Sequence, residues 1–132
     1  MIGMPRPSPF IERSWARKFR DAFRGVQAGI RGQSSFRWHF IVAAAVVAAA
    51  AALGTSRNEW CLLLLCITVV LVAEMFNSAL ESMAKAITGE SDPHIGNSLD
   101  IGSAAVLLAS LGATLVGAVI FLRRLAMLLG WW

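Results

Sequence analysis

Trp60-Cys-Leu-Leu-Leu-Leu-Cys-Ile-Thr-Val-Val-Leu-Val-Ala73 runs without a break into Glu74-Met-Phe-Asn77-Ser-Ala-Leu-Glu81, and this junction decides the fold. The uncharged part, wound as a helix at ~1.5 Å per residue, climbs roughly 21 Å before it meets Glu74. A bilayer hydrocarbon core is ~30 Å thick, so the carboxylate arrives before the crossing is complete. An ionisable side chain at that depth faces a protein interior or a wet cavity. With ~100° of rotation per residue, Glu74, Asn77 and Glu81 return to one stripe of the helix. That stripe has two possible meanings: a functional site, or a polar clamp between neighbouring helices.

Two further apolar runs flank this one. The first spans about residues 37–54 and is rich in alanine, which permits close helix approach and predicts packing against protein over much of its surface. Thr55-Ser-Arg-Asn-Glu59 forms a turn before the second span, about 60–87. The polar stretch Thr88–Asn97, with Gly and Pro, then breaks the helical pattern. The third span covers about 98–122 and is uncharged from Ile101 to Leu122. Asn97 and Ser98 are candidate N-caps, which puts Asp100 in a first turn as a dipole partner. Ala105, Ala109, Ala113 and Gly117 recur every fourth position, a ladder suited to close packing on another helix, within the chain or between subunits.

Composition supports this reading. With 57% hydrophobic residues in 132 and a mean hydropathy of +0.63, the chain has more apolar surface than one small soluble core can hide. The expected architecture is an all-α membrane protein: an N-terminal amphipathic surface helix plus three transmembrane helices. Cys61 and Cys66, five apart in one helix, point in different directions and form no internal disulfide. There is no zinc spacing, no phosphate-binding glycine loop and no H-E-x-x-H helix, which excludes the soluble nucleotide-site and metalloprotease templates.

Met1–Gln33 contains no apolar signal-peptide core and is expected to stay with the mature protein. Residues 1–9 carry three prolines and read as a flexible tail, while 10–125 form one membrane domain and 126–132 its C-terminal end. Over about 10–32, Ile11, Trp15, Phe19, Phe23, Val26 and Ile30 recur at helical spacing among basic residues, the pattern of a helix lying in the membrane interface. The net charge of +4 is better matched to anionic lipid headgroups than to nucleic acid, for which no binding module is present. Arg6, Arg13, Arg17, Lys18, Arg20, Arg24 and Arg31 precede the first span, whereas Arg57 alone lies in the next turn. This bias predicts a cytoplasmic N-terminus, against which the outer Arg123 and Arg124 count. Three spans then bring Glu81, Asp100 and the loop 88–97 to the cytoplasmic side. Carboxylates gathered there beside a basic interface can hold magnesium and deprotonate a hydroxyl, which is kinase chemistry.

Glu74-x-x-Asn77-Ser78-Ala79-Leu80-Glu81, followed by Asp100-Ile-Gly102-Ser-Ala-Ala-Val106, resembles the signature of the small integral-membrane prokaryotic diacylglycerol and undecaprenol kinases. Phe19-Arg-Asp-Ala-Phe23-Arg24-Gly25 and Phe36-Arg37-x-His39 resemble their surface helix and the start of their first span, so the likeness covers about residues 17–122. It implies a homotrimer with sites shared between subunits, transferring the γ-phosphoryl group of Mg-ATP to a lipid hydroxyl. It further implies Glu74 as general base, Asn77 as hydrogen-bonding organiser, Glu81 as Mg2+ ligand and Asp100 on the nucleotide side. Two positions depart from the pattern. Gln33 stands where the family has a metal-sharing Glu, and its carboxamide oxygen offers a ligand without charge. Leu99 stands where the family has a Lys, and Lys85, one turn after Glu81, is the candidate replacement at the phosphates. The competing reading is an impaired relative acting as a non-enzymatic membrane interaction protein. A transporter is a third, with no broken-helix repeat to support it.

Overall fold

The computed structural model describes residues 14–32, 34–87, 89 and 92–131. The N-terminal tail, residues 10–13 of the surface helix, and Gln33, Thr88, Glu90, Ser91 and Trp132 lie outside the described residues. Four helices follow one another: α1 (Trp15–Gly32), α2 (Ser34–Ala52), α3 (Arg57–Ile87) and α4 (Pro93–Leu128), with no strand among the described residues. Ser35–Ala52, Arg57–Ile87 and Pro93–Leu128 are each long and apolar enough to cross a membrane. The fold is the expected surface helix plus three spans.

Each helix stops for a local reason. Gly54, at φ +60°, ends α2: Thr55 N–H donates to Ala50 O at 3.2 Å and Gly54 N–H to Ala51 O at 3.4 Å, the paired bonds of a left-handed C-terminal cap. Ser56 and Glu59 then start α3 reciprocally. Ser56 Oγ accepts from Glu59 N at 3.4 Å and Glu59 Oε2 accepts from Ser56 N at 2.7 Å.

The start of α4 differs from the sequence expectation. Its N-cap is Asp92, whose Oδ1 accepts from His94 N at 2.8 Å and Ile95 N at 3.1 Å. Pro93 sits in the first turn, where its fixed φ suits the helix and its missing N–H costs nothing. Asn97 and Ser98 are therefore inside the helix, Ser98 Oγ donating back to His94 O at 2.9 Å. Asp100 lies in the third turn and is not a first-turn dipole partner.

α3 and α4 form an antiparallel pair, roughly 46 and 54 Å long at 1.5 Å per residue, so both outreach a ~30 Å hydrocarbon core. At one end Glu59 and Arg124 join them. Arg124 Nε donates to Glu59 Oε2 at 2.9 Å, and Nη2 reaches the same oxygen. Ala50, Leu63 and Ile120 make the small buried cluster beneath that end. Elsewhere Leu65, Leu108, Leu115 and Val119 are exposed, an outer surface that suits lipid rather than water.

The apolar face of α1 divides in two. Trp15, Phe19 and Phe23 lie open, with Lys18 Nζ 4.6 Å from the Trp15 ring centroid, while the C-terminal half packs on the bundle. There Phe36, 1% exposed, presents its ring to Gly29, where an added Cβ would lie 3.7 Å away.

Arg124→Ala and Glu59→Gln should each lower the thermal unfolding midpoint of the detergent-solubilised protein, and the double variant should fall short of their sum. Glu59→Gln keeps an acceptor for Ser56, so it isolates the ionic contact. Additive shifts would show that the two side chains do not act as a pair.

Candidate functional site

The polar stripe of α3 lies where α2, α3 and α4 meet. Glu74 is 3% exposed although it is ionisable, and burial of that kind requires hydrogen-bonding partners. Both come from α2. Ser35 Oγ donates to Glu74 Oε1, and His39 Nε2 stands 3.7 Å from Oε2. Four residues separate Ser35 from His39, so they share one face of α2.

One turn along α3, Asn77 is 7% exposed and its Nδ2 donates to Glu81 Oε1 at 3.1 Å. Its Oδ1 has no hydrogen-bond partner among the described residues and points at Gly102 of α4. A Cβ on residue 102 would lie 2.6 Å from that oxygen and 3.1 Å from Leu80 Cδ1. Glycine is required here because the α4 backbone itself packs against the Asn77 carboxamide.

The structure therefore keeps Glu74, Asn77 and Glu81 on one face of α3, buries the first two and links the last two directly. Asp100 and Lys85 are exposed and stand outside this network. Gln33 falls outside the described residues. Ser35, His39 and Gly102 are the members to which sequence reasoning assigned no role. Their legible signals are the four-residue spacing of Ser35 and His39 at the start of α2 and a glycine among the larger residues of α4.

No three His, Cys, Asp or Glu side chains gather around one point among the described residues, so these groups do not build a closed cation cage. Magnesium does not need one, since it is held by one or two carboxylates together with phosphate oxygens and water. Glu81 supplies a donor of the right kind.

An apolar cavity of about 560 Å³ opens beside His39 between the same three helices, walled by Val46, Leu63, Val70, Ala113 and Phe121 among others. Ala113 and Gly117, two rungs of the small-residue ladder, line this space. The ladder here makes room as well as contact.

A helix with an open aromatic face joined to three helices able to cross a membrane, with a buried carboxylate and an apolar cavity both in contact with His39, defines an integral membrane protein with an acid held among its spans. The model of the prokaryotic diacylglycerol kinase family matches residues 20–121, and the chain belongs to that family. It is 30% identical over 120 residues to a diacylglycerol kinase of Pseudomonas aeruginosa, covering 88% of this chain and 98% of the relative. A diacylglycerol kinase of Synechocystis sp. is 33% identical over 112 residues, covering 84% of this chain and 64% of the relative. One from Haemophilus influenzae is 26% identical over 88 residues, covering 67% of this chain and 75% of the relative. The chain is an ATP-dependent lipid kinase, with ATP as co-substrate.

Gly102→Ala should force α4 away from Asn77, with a destabilisation of about 1–3 kcal/mol, the usual cost of overpacking. Lipid phosphorylation should fall with it. Equal thermal stability and activity in the variant would show that the close approach is dispensable.

Proposed function

We propose that the protein transfers the γ-phosphoryl group of ATP to the hydroxyl of a membrane lipid of the diacylglycerol or undecaprenol class. The observation that carries this reading is the Glu74 carboxylate, 3% exposed, held from α2 at membrane depth beside an apolar cavity. An aliphatic tail lies in the cavity while the hydroxyl comes to Glu74. Glu74 takes the hydroxyl proton as the oxygen attacks phosphorus, and ADP leaves with the electron pair of the broken bond. Asn77 holds Glu81 in place through the Nδ2 bond and keeps α3 and α4 in register.

Bound magnesium supplies charge neutralisation at the phosphates, and Glu81 with Gln33 would hold it. Asp100 serves the nucleotide side, and Lys85, exposed near the end of α3, provides the cation that Leu99 does not. Each role matches a family position quoted above or compensates for a departure from it.

Glu74→Gln keeps shape but removes the proton acceptor, and should lower phosphate transfer by ~10²–10⁴-fold in a folded protein. Transfer from labelled ATP to separate lipid alcohols in bilayers measures this. Near-normal turnover would remove Glu74 from the chemistry. In the same assay Glu81→Gln should raise the magnesium concentration for half-maximal activity and Gln33→Glu should lower it, because a carboxylate attracts a hard cation more strongly. An unchanged magnesium dependence in Gln33→Glu would place residue 33 away from the metal.

The N-terminus and the α3–α4 turn are proposed to be cytoplasmic, in a bacterial inner membrane, with the protein a homotrimer. The basic N-terminal segment supports this orientation, and the ion pair with Glu59 offsets the charge of Arg124 at the far end. A cysteine at Gly89, introduced after removal of Cys61 and Cys66, should react only from the cytoplasmic side. Native mass measurement should give three copies. Labelling from outside, or a different mass, would correct the corresponding point.

A further inference from the structure

A buried carboxylate needs donors, but it does not need both of its oxygens addressed from one neighbouring helix. At Glu74 this is the arrangement. Ser35 and His39, one turn apart on α2, bracket the side chain, the hydroxyl bonded to Oε1 and the imidazole nitrogen 3.7 Å from Oε2. Two points on one rigid helix fix the carboxylate plane as well as its position. A single contact would leave the plane free to turn about the terminal torsion, which is broad in glutamate.

The two contacts are unequal. The Ser35 bond occupies Oε1, whereas 3.7 Å is too long for a hydrogen bond at Oε2. His39 also lines the apolar cavity, so its imidazole stands between that space and Oε2. Oε2 is thus the oxygen whose lone pairs are left for a further donor.

We infer that Ser35 and His39 are positioning residues that orient Glu74 with Oε2 presented to the substrate hydroxyl. The inference rests on Glu74 being the base. In the transfer step the hydroxyl proton passes to Oε2 while the O–P bond forms and the bond to the leaving ADP oxygen breaks. Ser35 keeps its bond to Oε1 throughout. The role is orientation, which pays in turnover more than in substrate affinity.

The test uses the full chain in bilayers, with steady-state transfer and infrared spectra measured on the same preparations. The difference between wild type and Glu74→Gln identifies the Glu74 carboxylate band. Ser35→Ala should shift that band and lower kcat about 10- to 100-fold, the range for loss of a hydrogen bond to a charged group, and His39→Phe should shift it and lower kcat about two- to fivefold, the range for an ion-pair contact that makes no hydrogen bond. KM for ATP and lipid should stay within about twofold, and Ser35→Thr, which keeps the donor, should restore kcat. In a Glu74→Gln background, Ser35→Ala should cause no further loss of kcat. A band that does not move in Ser35→Ala and His39→Phe overturns the inference, as does a moved band with wild-type kcat. If Ser35→Ala fails to fold, Ser35→Thr and the contrast of His39→Gln with His39→Phe decide by the same two readouts. Absence of transfer by the wild type to any lipid alcohol would instead remove the proposed function, while the band shifts still report on the bracket.

Discussion

A carboxylate below the headgroups must find its partners in the protein, because lipid tails offer none. That constraint organises the site end of the molecule. Glu74 can occupy its place on α3 only if α2 brings a hydroxyl to it, and α2 can do so only if its first turn is held against the bundle. Phe36, buried next to Ser35 in the chain, provides that hold by packing on Gly29 of α1. The surface helix, the first span and the buried acid are thus parts of one arrangement. The contacts that satisfy Glu74 also join helices, so clamp and site are the same set of atoms.

The α3–α4 pair is secured at two levels by different means. Near the site, Gly102 lets the α4 backbone approach the Asn77 carboxamide, and the fit is one of volume. At the opposite end, Glu59 receives both the N-cap backbone of its own helix and the guanidinium of Arg124, and the fit is one of charge. The small buried cluster of Ala50, Leu63 and Ile120 accompanies the second level. Between the two levels the helices leave a cavity beside α2.

Much of this was legible in the sequence. The three spans follow from uninterrupted apolar length, and Glu74 stands out because a charge at that depth needs a reason. The start of α4 was misplaced because Pro93 reads as a helix breaker, although a proline after an Asp cap equally opens a helix. Ser56 and Glu59 carry a capping signature, but the pairing of Glu59 with Arg124 depends on the antiparallel register of α3 and α4. Ser35, His39 and Gly102 were quoted only as parts of a resemblance or not at all. Each acquires meaning from a helix other than its own, and one-dimensional periodicity does not report that.

A single residue separates α1 from α2, and Ser35 follows Gly32 by three positions. Three residues of chain are at most about 11 Å long, so the hydroxyl that bonds Glu74 is tied closely to the end of α1. Trp15, Phe19 and Phe23 lie open on that helix, so a bilayer surface that took up their rings would set the height of the acid as well. Under the proposed function, selection among lipid alcohols would then be first a matter of altitude: a hydroxyl carried at that height would meet the carboxylate, and the same group on a lipid that rides higher or lower would not.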